Sequence, residues 1–107
     1  MTTTLETPDC HEGDIGFQIF IDTDVDCSGA TSLKIDYQKP DGSAGTWPAT
    51  AMVKDGQDGV YYVTAEGDLD QAGVWLLQVD IAELGGFTGS GRITTMLVGR
   101  ALPGDGA

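Results

Sequence analysis

Hydrophobic and polar residues alternate along most of this chain with a period of two. The clearest run follows an acidic, glycine-containing turn at residues 67–73. From there Trp75, Leu77, Val79 and Ile81 fall on one face, and Val74, Leu76, Gln78 and Asp80 on the other. That is the pattern of a strand with one buried face. Ile15, Phe17, Ile19 and Ile21 alternate in the same way with Gly16, Gln18, Phe20 and Asp22. Leu33, Ile35 and Tyr37 alternate with Lys34, Asp36 and Gln38 until a Lys-Pro-Asp-Gly turn at residues 39–42. Trp47, Ala49, Ala51 and Val53 make a weaker run, in which Pro48 predicts an edge strand.

Residues 54–59 predict a turn into a strand at residues 60–64. The glycine-rich residues 85–91 predict a hairpin loop, and residues 92–98 a last strand, with Ile93, Thr95 and Leu97 opposed to Thr94, Met96 and Val98. No segment sustains a 3.6-residue period, and only residues 69–72 suggest a helical turn. Six or seven short strands separated by turns predict an all-β, antiparallel sandwich.

A chain of 107 residues holds one domain with a real core. Its hydrophobic content of 40% excludes a disordered tail, and 16 glycines without a triplet period fit many tight turns. The pattern divides the chain into a polar N-terminal arm at residues 1–11, a sandwich at 12–100 and a flexible tail at 101–107. Seventeen acidic residues against five basic ones give a net charge of −12, which argues against nucleic acid and anionic membranes as partners. No apolar stretch approaches the roughly 20 residues that span a bilayer. Residues 1–9 carry neither the basic start nor the apolar run of a signal peptide, so synthesis in a cytoplasm is expected. Two cysteines, Cys10 and Cys27, are too few for a disulfide framework, and spacing alone leaves open whether they meet.

Several residues invite a chemical reading. Asp22, Asp24 and Asp26 alternate, so an extended backbone would put three carboxylates on one face, a candidate Ca²⁺ site. The EF-hand pattern is absent, because Cys27 and Leu33 stand where Gly and Glu would be needed. A solvated acidic strand end is the simpler expectation. Cys10, His11 and Cys27 offer three soft ligands where structural zinc takes four, so no cofactor is expected. Trp47, Tyr61 and Phe87 are candidate contact residues for a partner or a glycan, while Trp75 and Tyr62 fall on core registers. Nucleophile-elbow and phosphate-binding patterns are missing, and no carboxylate sits in an apolar run that would raise its pKa. The expectation is a protein without enzymatic activity.

An acidic turn with a glycine, leading into a strand that opens on an aromatic residue, is a corner found before a late central strand in immunoglobulin-like sandwiches, where the usual aromatic is Tyr. More broadly, the order of segments resembles a small immunoglobulin-like module of tailed-bacteriophage virion proteins, similar to the N-terminal domain family of upper baseplate proteins. The segments that carry the resemblance are residues 13–16, 28–33, 39–42 with Trp47, 59–62 and 68–75, which together span about residues 12 to 98. Those relatives continue into stalk and receptor-binding regions, which residues 1–107 do not include, so a stand-alone accessory role is the expectation rather than receptor binding.

The resemblance implies an immunoglobulin-like β-sandwich of about seven strands and no catalytic residues. It also implies attachment, in many symmetric copies, to capsid, neck, tail or baseplate proteins of a virion made in a bacterial cytoplasm. On a capsid the acidity would place it outside, away from packaged DNA. The N-terminal arm, which has no core-forming pattern, is a candidate for ordering on a neighbouring subunit. A glycan- or host-surface-binding module is the alternative.

Overall fold

The computed structural model describes residues 9–100, and every regular element within them is a strand. The order is β1 (Cys10–His11), β2 (Gln18–Asp22), β3 (Ser32–Gln38), β4 (Ala44–Pro48), β5 (Thr50–Lys54), β6 (Gln57–Val63), β7 (Gly73–Leu84), β8 (Phe87–Ser90) and β9 (Thr94–Gly99). One sheet runs β1-β9-β7-β3-β4, with β8 pairing β7 beyond the end of β9; the other runs β2-β6-β5. The pairings are antiparallel except β1 with β9, which is parallel. The protein is therefore all-β and built from two sheets, compatible with a sandwich.

The alternation in the sequence places the core. Trp75, Leu77, Val79 and Ile81 of β7 are buried, as are Ile19 and Ile21 of β2 and Ile35 of β3. Ile15, in the same alternating run as Ile19 and Ile21, precedes β2 and is exposed. Burying apolar area at roughly 25 cal/mol per Å² makes these inward rows the main source of stability.

Three elements differ from the pattern-based expectation. The weak run around Trp47 is two strands: β4 lies at the edge of the larger sheet and β5 at the edge of the smaller one. Pro48, which has no N–H to give to a ladder, stands where the chain leaves one sheet for the other. The glycine-rich loop at 85–91 is half strand. Gly85 and Gly86, at φ 56° and 89°, form a two-residue turn of the type that matches strand twist, and Leu84 pairs directly with Phe87. Asp55 and Gly56, at φ 51° and 80°, do the same between β5 and β6. No helical turn forms at residues 69–72.

Cys10 and His11 are also strand rather than arm, for a physical reason: β1 pairs with β9, Cys10 beside Val98, and both side chains are buried in the core. The remainder of the arm, residues 1–8, and the tail, residues 101–107, lie outside the described residues.

Candidate functional site

The two sheets meet through a cluster of four aromatic rings. Trp47 stacks on Tyr62 of β6, with ring centroids 5.0 Å apart and planes 10° from parallel. Its ring centroid also lies 4.3 Å from that of Tyr37 and 5.9 Å from that of Trp75. Trp47 thus links the smaller sheet to the larger one and is 4% exposed. Its expected role as a surface contact residue is corrected: pairing with Ile35 turns its side chain into the core.

Around Trp75 the polar groups close into a clasp. The indole Nε1–H of Trp75 donates to Gln71 O at 3.0 Å. Gln71 donates through Nε2 to Asp41 Oδ2 and accepts at Oε1 from the Asp41 N–H, while Lys39 Nζ lies 2.9 Å from Asp70 Oδ2. The β3–β4 turn is thereby tied to the corner before β7. Gly73, at φ 131°, lets Pro40 approach so closely that a Cβ there would lie 2.8 Å from the ring. Beside it, Tyr62 Oη donates to Asp68 Oδ2 at 2.5 Å, and burial together with this carboxylate pushes the phenol up to about 12. These groups are committed to holding the corner.

The Asp22, Asp24 and Asp26 carboxylates do not converge. The N–H of Asp24 donates to Asp22 Oδ1, and that of Ser28 to Asp26 Oδ1, both at 2.9 Å. Each of these two acids therefore caps a local turn. Hydrogen bonds from the Ser28 backbone and hydroxyl hold Asp26 below the usual carboxylate range. Asp24 sits at φ 61°, which directs the chain out of extended geometry and breaks the shared face that alternation implied. Among the described residues no group of three metal-ligating side chains forms. Cys10 and Cys27 are unpaired and buried. Burial, and then the charges of Asp14 and Asp9, raise the Cys10 thiol to about 11, so it stays protonated at neutral pH.

One carboxyl pair was invisible in the linear pattern. Asp36 of β3 and Asp80 of β7 are diagonal neighbours on the outward face of the larger sheet, since Asp36 pairs with Gln78 and Lys34 with Asp80. Partial burial and the Asp80 carboxyl raise Asp36, whereas the hydroxyl of Ser90 and then Asp36 lower Asp80. Thr46 donates to Asp36 at 3.0 Å and Ser90 to Asp80 at 2.7 Å. The pair stands on an open sheet face.

The two remaining aromatic candidates have different settings. Phe87 is half-exposed at the β7–β8 hairpin, with its ring folded over Gly89 of its own strand. Tyr61 is half-buried on the outward face of the smaller sheet, opposite Phe20 of β2. Phe20 in turn covers Gly59, where an added Cβ would collide with the ring and with Ile21 O. Met52 pairs with Gly59 from the other side, accepting from Gln18 Nε2 through its sulfur at 3.7 Å, and Lys54 Nζ stands 5.6 Å from the Phe20 ring. Phe20, Tyr61 and Met52 so form an apolar row on an outer face. Sequence reasoning missed Phe20 and Met52, although Phe20 breaking the polar side of the β2 alternation was a usable signal.

Comparison of the chain with protein-family models, curated proteins and solved structures found no match.

Proposed function

We propose that this protein is a non-enzymatic structural component of a tailed-phage virion, an immunoglobulin-like accessory or decoration subunit attached to capsid, neck, tail or baseplate proteins. The observation that carries the attachment is the apolar row of Phe20, Tyr61 and Met52 on the outward face of a sheet whose inward face already forms the core. Aromatic and methionine side chains on a sheet face suit protein contact, because they contribute large area at little entropic cost. Symmetric repetition multiplies weak individual contacts into stable mounting.

Two features support the immunoglobulin-like reading. The order β2-β6-β5 against β9-β7-β3 matches the B-E-D and G-F-C arrangement of such sandwiches. The Trp75 bond to Gln71 O ties the head of a central strand back to the preceding corner, as a tyrosine corner does. The virion assignment draws its support from the resemblance of the turn–strand segments between residues 12 and 98.

Electron cryomicroscopy of particles from the source, with the gene intact and deleted, tests the proposal. Density that disappears with the gene is the expected outcome and gives the location directly. Identical particles overturn it and turn attention to a host-surface glycan as ligand. A Tyr61→Ser variant that folds normally should show reduced occupancy on particles.

A further inference from the structure

The outward face of the larger sheet is divided into two halves. Alternation in β7 turns Val74, Leu76, Gln78 and Asp80 away from the core. On β9 the register sets Leu97 beside Val74 and Thr95 beside Leu76. On β3 it sets Gln38, Asp36 and Lys34 beside Leu76, Gln78 and Asp80 in turn. The charged groups therefore gather at one end and the apolar ones at the other. Val74 and Ile93 are 53% and 58% exposed, and Leu76 is exposed between them. Apolar side chains gathered in this way on one face mark a contact surface.

The same face carries a matching hollow. It measures about 150 Å³ and is lined by Gln38, Leu76, Gln78 and Ile93 among others, so it lies on the Gln78 side of Leu76. Val74 lies on the opposite side of Leu76, one outward step of about 6.8 Å along β7. A two-fold axis running across the strands near Leu76 thus places Val74 of each copy over the hollow of the other. Knob and hollow on one strand make the face self-complementary, which an isologous interface requires.

Charge also selects the occupant. The chain carries a net charge of −12. Yet along the outward side of β3, β4, β9 and β7 as far as Ala82, only Lys34, Asp36 and Asp80 are charged. A second copy, repelled by the acidic turns, meets little repulsion here. A basic partner finds no acidic rim around Val74 and Leu76 to pair with. Four strands about 4.8 Å apart and roughly 20 Å long give about 400 Å² in projection, which fits a weak, reversible dimer rather than an obligate one.

We propose that this protein forms a two-fold dimer through the outward face of the larger sheet, with Val74 of each copy seated in the hollow beside Leu76 of the other. Apolar groups then meet at the centre, and Lys34, Asp36 and Asp80 stay at the rim, the usual division of an interface. The row of Phe20, Tyr61 and Met52 on the opposite sheet remains free, so the inference does not depend on the virion assignment.

Sedimentation equilibrium of the full chain, from about 10 µM to about 1 mM, tests it. The mass should rise from one chain toward two. Added salt should strengthen the association, because it screens repulsion between two acidic copies. Val74→Glu, at an exposed position that folding tolerates, should raise the dissociation constant at least about tenfold. Val63→Glu, the same exchange at an exposed position on the smaller sheet, should leave it unchanged. NMR of the unaltered chain supplies a second reading: on dilution, shift changes should centre on the amides of Val74, Leu76 and Leu97. A mass of one chain throughout overturns the proposal, as does association that salt weakens or that Val74→Glu leaves intact. Loss of the dimer in Val63→Glu, or shift changes centred elsewhere, overturns it by assigning the contact to another surface.

Discussion

The two flanks of this two-sheet fold are built by opposite means. At the corner before β7, side chains from separate turns are fastened together: Trp75 to Gln71, Gln71 to Asp41, Lys39 to Asp70 and Tyr62 to Asp68. Along β2, Gln18, Phe20 and Asp22 border a groove between the sheets, whose apolar floor, Ile21 and Ile81 included, is partly open. The first flank spends its polar side chains on itself. Among the described residues, the second flank leaves the outward edge of β2 without a strand partner. A two-sheet fold can thus fasten one flank with side chains and leave a strand edge unpaired among the described residues on the other, because side-chain clasps and ladder bonds draw on different atoms of the chain.

Substitutions should expose the asymmetry. Trp75→Ala removes the fully buried ring at the centre of the clasp and should cost about 3–5 kcal/mol, read as a lower urea midpoint at unchanged slope. Ile21→Ala, in the groove floor, should cost about 2 kcal/mol, at the low end for such a truncation, because its surroundings are already open. Equal losses at the two sites would erase the distinction between the flanks. Gly73→Ala would force a side chain onto φ 131° and into Pro40, with an expected loss of about 1–3 kcal/mol.

Smaller changes sharpen the picture of the clasp. Tyr62 has a folded-state pKa raised to about 12 from an ordinary value of 10.0. The native state therefore holds this proton more tightly than the unfolded chain, so its contribution is complete below pH 10 and is lost as pH rises toward 12. Tyr62→Phe should flatten that alkaline decline in an equilibrium unfolding series, and cost about 1 kcal/mol at neutral pH through the missing bond to Asp68. Lys39→Ala should change stability by no more than about 1 kcal/mol, since its partner Asp70 is half-exposed and solvent screens the pair. A larger effect would mean that the Lys39 stem, which lies by the Trp75 ring, matters more than its charge.

Trp75 and Trp47 show how far the linear pattern reached. Trp75 heads a long alternating run, so its burial followed from its own neighbours in sequence. Trp47 sits in a short run interrupted by Pro48, and its direction was set by pairing with Ile35, a residue twelve positions away. The hairpin at Gly85 and Gly86 was half legible: the glycines marked a turn, but only the match of Leu84 to Phe87 showed that strand resumed at once. The three aspartates at 22, 24 and 26 were misleading for a local reason, as two of them accept from nearby backbone N–H groups instead of lining up.

By itself the sequence determined the all-β class and the inward rows of β2, β3 and β7, because a period of two is a property of consecutive residues and survives any choice of partner. The same holds for the net charge and for a turn within residues 54–59, although strand resumes there already at Gln57. Only the tertiary structure decided which strands lie together, and so which side chains share a face. The switch of sheets between β4 and β5, the Trp47 bridge, the Asp36–Asp80 pair and the apolar row of Phe20, Tyr61 and Met52 all depend on cross-strand neighbours. Those neighbours are chosen by packing between segments distant along the chain, which no local pattern encodes.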